Sequence, residues 1–136
     1  KTPLDLATYR GHEQCVRLLL RCAALVSVQD NVTRRTPLHC AAAMGHAKCL
    51  KLLLKSTEDS SVVDKCDAKL RTPLTLAVAN HFPECASLLL KYKADCNLPD
   101  VNKHTPLFRA VIHEVDLPMV NMLLVYNARV AAQDSN

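Results

Sequence analysis

The chain has 136 residues, 49% of them hydrophobic and 22% charged, with 17 Lys and Arg against 13 Asp and Glu for a formal net charge of +4. This is the length of one ordinary domain. These residues hold no secretory signal and no apolar run near the ~20 residues needed to span a bilayer, and a charge of +4 with 4% aromatics is modest for a domain that tracks phosphates and stacks bases.

The first predicted element opens at Thr2, where Thr-Pro-Leu supplies a hydroxyl that can cap a helix and a proline at N1, whose missing amide has no helical partner. Asp5 completes a loose capping box. A turn at Gly11-His12 leads into a second helix with the leucine run Leu18, Leu19 and Leu20. Val16, Leu19 and Leu20 form one stripe, and Cys15, Leu18 and Cys22 widen it past an ordinary amphipathic face, so this helix needs partners on two sides. The unit returns at near-equal intervals, with Thr-Pro-Leu again at Thr36, Thr72 and Thr105. Gly45-His46 is the second inter-helix turn. The runs that open at Leu52 and Leu88 stand as far from Thr36 and Thr72 as Leu18 does from Thr2, while Met122 arrives one position late. Polar loops holding Asp30, Asp67, Asp100 and Asp134 follow the second helices.

A unit of this size cannot cover its own apolar face, so neighbours must stack in single file. The predicted fold is an all-α solenoid of four helix-turn-helix repeats with hairpin-like loops, spanning 1–35, 36–71, 72–104 and 105–136. The second unit carries a lengthened loop over Ser56–Val62, read as a polar mobile finger. The fourth is irregular, with Arg109 where Leu6, Cys40 and Leu76 are expected to face the core, and with Pro118 in the first turn of its second helix. Apolar residues at both ends (Leu6 and Ala7; Val120, Leu123 and Leu124) point to a piece of a longer array.

The strings TPLHCAAAMGHAKCLKLLL from Thr36 and TPLTLAVANHFPECASLLLKYKADCNLPD from Thr72 resemble ankyrin repeats, with their Thr-Pro-Leu-His, Gly-His, leucine run and Gly-Ala-Asp-Val-Asn pattern. The resemblance covers nearly the whole chain. It implies antiparallel helix pairs joined by protruding hairpins, with partners held along the hairpin tips and first helices. LDLATYRGHEQCV, Arg34-Arg35-Thr36-Pro37 and Phe108-Arg109-Ala110 are similar to stretches of the regulatory ankyrin-repeat subunits of protein phosphatase 6. Against the family pattern, glycine is replaced at the hairpins by Arg34, Leu70 and Lys103, and at the third inter-helix turn by His81.

Seven cysteines are an odd number, and Cys15, Cys49 and Cys85 share one register position, which reads as core filler. Reduced thiols place the protein in the cytoplasm or nucleus. His39, Cys40, His46 and Cys49 are the one set of ligand-type side chains close in sequence, but no Cys-x-x-Cys pair exists, and the plainer reading is a buried cysteine and a hydrogen-bonded histidine. No repeat pairs a nucleophile with a base and an orienting third group, so no catalysis, cofactor or small-molecule substrate is expected.

The family's partner-facing positions carry over to Tyr9, Arg10, Ala43, Met44, Ala79, Asn80, Ile112 and His113 on the first helices, and to the hairpin tips. The tips supply Asn31, Val32, Arg34, Arg35, Ala68, Lys69, Arg71, Val101, Asn102, Lys103 and His104. Six of the positions named in these two sets are Lys or Arg and none is Asp or Glu, whereas Glu13, Glu58, Asp59, Glu84, Glu114 and Asp116 fall in turns and back-side loops. The plainer reading is solubilising charge; the functional one is a protein partner with an acidic surface, anchored by Tyr9, Val32, Met44 and Ile112. Leu89, Asp95, Cys96 and Asn97 resemble the arrangement that an asparaginyl hydroxylase accepts, the plainer role of Asn97 being to cap its loop. The expected function is a non-catalytic scaffold, and the phosphatase likeness implies a phosphatase catalytic complex as partner. A tether within a membrane channel or anchoring protein, and a nucleic-acid-associated protein, are the alternatives.

Overall fold

The computed structural model describes residues 2–22, 26–57, 60–112 and 117–134, with the backbone alone at Ser60 and at 127–134. Eight α-helices and no strand occur among the described residues: α1 (Pro3–Tyr9), α2 (Glu13–Arg21), α3 (Pro37–Met44), α4 (Ala47–Ser56), α5 (Pro73–Ala79), α6 (Pro83–Lys91), α7 (Pro106–Ile112) and α8 (Leu117–Asp134). Each odd-numbered helix packs on the even one after it. The odd helices then stack α1 on α3 on α5 on α7, and the even ones α2 on α4 on α6 on α8. The result is a two-layer ladder, as the period requires.

Four threonines start the odd helices by the same device. Thr2, Thr36, Thr72 and Thr105 each accept the backbone N–H of the residue three positions on, at 3.1 to 3.4 Å. Asp5 and His39 return the bond, taking the N–H of Thr2 and Thr36 at 3.1 Å, so two of the four boxes are closed. His39 goes further. Its Nδ1 accepts from Thr36, which leaves Nε2–H to donate to the carbonyl of Arg71 at 2.8 Å, tying α3 to the start of the next unit.

The core is a file of leucines and small residues between the layers: Leu38, Leu50, Leu53, Leu74 and Leu89 are fully buried, and Ala41, Ala42, Ala77 and Ala86 let the helices approach. Both inter-helix glycines adopt left-handed backbone, at φ 72° for Gly11 and 74° for Gly45. A Cβ on Gly11 would lie 2.7 Å from the His46 ring, and one on Gly45 would lie 2.6 Å from the Phe82 ring. Each glycine is therefore also the seat of a ring from the next unit.

Several expectations from sequence are corrected. Cys49 and Cys85 are buried, but Cys15 is exposed, because no described helix lies on that side of α2. For the same reason Leu18 is 59% exposed and Leu6 49%, so Leu6 does not face the core. Arg109 does not either, since its guanidinium reaches back to Asp100. At the other end Leu123 is core while Leu124 is half exposed. Of the loop expected over Ser56–Val62 as a polar finger, Ser56 closes α4 and the end at Val62 is buried in a 3-10 turn over residues 60–64, with Val63 beside it, while Glu58 and Asp59 lie outside the described residues. Asp134 belongs to α8 and not to a loop, since no Gly or Pro interrupts 119–134.

Candidate partner-binding surface

Three loops connect the units, and each is built on an aspartate. Asp67 accepts the backbone N–H groups of Lys69 and Arg71, both at 2.9 Å, and Asp100 accepts those of Asn102 and His104, also at 2.9 Å. Asp30 takes both the N–H and the hydroxyl of Thr33 at 2.8 Å. These bonds hold the Asp30 carboxyl below its usual range. At Asp100 burial pulls the other way, yet the bonds from Arg109, His104 and Asn102 outweigh it and the net shift is downward.

The tips are joined to one another. Ala68 N–H donates to the carbonyl of Thr33 at 2.9 Å, and Val101 N–H to that of Lys69 at 3.0 Å. Gln29 adds a bridge, its Nε2 donating to the carbonyls of Arg34 at 2.9 Å and Cys66 at 3.0 Å. The described tips thus make one ridge. Their carboxylates point inward to the loops, and what remains outward is apolar, cationic or neutral: Val32 is 83% exposed, Leu70 51% and Val101 58%, beside exposed Arg34, Lys69 and Lys103 and exposed Asn31, Thr33 and Asn102.

All three tip residues at the expected glycine position keep the glycine conformation without being glycine. Arg34 and Leu70 have φ 60° and Lys103 has φ 65°. His81, at the third inter-helix turn, has φ 63°. Lys93, which sequence reasoning passed over, has φ 67° and falls where the Gly-Ala-Asp-Val-Asn pattern has its glycine; that alignment was the signal. Left-handed backbone costs a side-chain-bearing residue roughly 1–2 kcal/mol.

The expected site residues divide into those that face solvent and those that hold the frame. Tyr9, Arg10, Asn31, Val32, Arg34, Met44, Lys69, Asn80, Asn102, Lys103 and Ile112 are exposed. Arg35 and Arg71 are not available cations, because they converge on buried Asp67, with Arg71 Nε at 3.0 Å and Arg35 Nε at 3.7 Å. His104 lies against the Phe108 ring, centroids 4.5 Å apart. Asn80 spends its amide on the carbonyl of Ala43 at 3.0 Å, as His46 does its Nε2 on that of Tyr9, also at 3.0 Å. His113, with Glu58, Asp59, Glu114 and Asp116 of the charge contrast, lies outside the described residues. Asn97 is exposed, and its backbone N–H donates to Asp95 at 2.8 Å.

The ligand-type cluster around His39 is dispersed. Both its ring nitrogens are engaged, and burial pushes its pKa down to about 4, with the Arg71 carbonyl opposing. Burial also raises the thiols of Cys49, Cys66, Cys96 and Cys85, the last to about 11, away from the thiolate that a nucleophile or metal ligand needs. No helix among the described residues is long and apolar enough to cross a membrane.

A comparison of the sequence with curated proteins found no match. The family profile described as ankyrin repeats, in three copies, matches residues 1–65 and 59–134. The two matches together span the stacked helix pairs, their threonine-proline starts and the row of hairpin tips, and the chain belongs to the ankyrin-repeat family.

Proposed function

We propose that the chain is a non-catalytic scaffold that holds a protein partner of acidic surface along the ridge of hairpin tips and the adjoining ends of the odd helices. The observation that carries this reading is the retained side chain at each strained tip. Arg34, Leu70 and Lys103 sit where glycine would relieve the backbone, and all three are exposed. Strain kept at successive equivalent positions is expected where the side chains serve contact. With Val32, Lys69 and Val101 they make a row of apolar anchors set among cations. Single exposed ion pairs give only ~0.2–1 kcal/mol, so affinity comes from several together and weakens with salt.

Within this reading, the likeness to the regulatory ankyrin-repeat subunits of protein phosphatase 6 makes a Ser/Thr phosphatase catalytic complex the first partner to test. The charges to reverse are Arg34, Lys69 and Lys103. Arg35 and Arg71 are left alone, because reversing them would strand Asp67. Titration of the native chain and of the triple glutamate variant against the purified catalytic complex is expected to show binding that is lost in the variant and in high salt. Absence of binding removes the phosphatase as partner, and equal binding by both chains removes the ridge.

A further inference from the structure

The even-helix layer has a solvent side that the ridge does not use, and cations predominate there too, though less completely than at the tips. Arg21, Lys55 and Lys91 stand in the last turns of α2, α4 and α6, each at the same offset from the threonine that opens its unit. Packed helices lie ~8–10 Å apart, so these three form a rung-by-rung row of cations. Arg17 and Lys51, one turn earlier in α2 and α4 and again in equivalent positions, begin a second row, and Lys48 adds a further exposed charge. Against them this face shows Glu13, which is consumed by Arg17 at 3.1 Å, and Glu84. The helix dipole accounts for a cation in each last turn. Arg17 is accounted for by its pair with Glu13, but neither effect accounts for Lys48 and Lys51, nor for the groove into which the row leads.

That groove lies where α4, α6 and α8 meet, with a volume of about 480 Å³. Ala47, Pro83, Leu88, Pro118 and Met122 give it apolar walls, and Ser87 and the carboxylate of Glu84, in the first turn of α6, line it as well. Lys91, the last cation of the row, lines it too. Residues 117–126 of α8 carry no charge, and Leu117 beside Pro118 is 76% exposed. Cations thus run along α2, α4 and α6 and end at an open, largely apolar trough that holds Lys91 and Glu84.

We infer that this face is a second docking surface, for an acidic peptide segment whose apolar side chains enter the trough while its carboxylates lie along Lys91, Lys55 and Lys51. Lys51, Lys55 and Lys91 outnumber the one carboxylate of the trough, Glu84, and this balance selects that occupant over an apolar or basic one. A phosphate backbone would satisfy the lysines but would leave the trough unfilled. The surface is separate from the tip ridge, so one chain can hold two partners at once.

The test uses the full chain, ¹⁵N-labelled, and a synthetic peptide of Glu, Asp, Leu and Phe as probe. Amide shifts are expected at Ser87, Leu88, Lys91 and Met122, unchanged in the Arg34→Glu, Lys69→Glu, Lys103→Glu variant. Lys55→Glu with Lys91→Glu is expected to weaken binding about tenfold, since two exposed attractions become repulsions. Ser87→Trp fills the trough and is expected to weaken it at least as much, with thermal melts checking that each variant is folded. Shifts confined to the tips, or no binding, overturn the inference. So does full affinity in folded Ser87→Trp, which would mean that charge alone acts. Binding of single-stranded oligonucleotide or of anionic vesicles in preference to the peptide reassigns the face to a polyanion and overturns it equally.

Discussion

The inter-helix turns and the hairpin tips both bend the chain through left-handed backbone, yet they solve the problem differently. At Gly11 and Gly45 the turn carries glycine and the next unit's ring is pressed onto it, at 2.7 and 2.6 Å from where a Cβ would be. At Arg34, Leu70 and Lys103 the same sign of φ is borne by side chains that face solvent. A turn glycine is fixed by conformation and by packing together, whereas a tip residue answers to conformation alone. These two turns serve the stack, and the tips are open to other demands; the third turn carries His81 at φ 63° and does not share the glycine solution.

The sharpest way to break this contrast is to put a methyl group where packing forbids it. Gly45→Ala places a Cβ in left-handed backbone and against Phe82, a partly buried ring packed on the core. Conformational strain and overpacking together are expected to cost about 2–4 kcal/mol. Gly11→Ala should cost less, because half-buried His46 can swing away, losing mainly its bond to Tyr9. Urea midpoints of the two variants decide it. Equal losses would mean that the neighbouring ring is irrelevant.

The fold was legible because three independent signals shared one register: the threonine-proline starts, the inter-helix turns and the leucine runs. The candidate surface was only half legible. Spacing located the tips, but charge counting treated Arg35 and Arg71 as equivalents of Arg34 and Lys69, and nothing local reveals that both fold back onto Asp67. Cys15 failed for a related reason, since register position specifies a face and only the next helix pair decides whether that face is covered. The Val62-Val63 pair was readable as an apolar anchor in a polar loop. The even-helix cations were also in plain view, at a constant offset, but their meaning depends on the groove beside Lys91, which three helices build together.

A smaller effect tests how the second unit is locked to the third. His39 is buried and neutral, with its pKa lowered to about 4 against an ordinary value of 6.5. The unfolded chain therefore takes up a proton as pH falls from 6.5 towards 4 while the folded chain does not, so stability falls in that window by up to ~1.4 kcal/mol per pH unit. Asp100, held low by its loop bonds and Arg109, adds its loss only as pH falls through the carboxylate range. His39→Thr, which copies Thr75 of the next unit, should flatten the slope between pH 6.5 and 4 and lower stability at neutral pH. An unchanged slope would assign the acid sensitivity to other groups.

The smallest effect has the opposite sign. Leu70 is half exposed at φ 60°, so Leu70→Gly gives up little buried surface. Relief of left-handed strain gains about 1–2 kcal/mol, and the extra freedom of glycine in the unfolded chain takes back about 0.4–1. The net gain should be on the order of 1 kcal/mol, visible as a higher melting temperature. Lys103→Gly should behave alike and add to it, and so should Arg34→Gly less its 3.4 Å bond to Gln29, because the links between neighbouring tips, from Ala68, Gln29, Arg35 and Val101, use none of these three side chains. If the same triple variant is more stable but no longer holds its partner, the tips trade stability for contact. If any of the three glycines destabilises the chain, that side chain is part of the frame, and the line drawn between turn and tip is misplaced at that residue.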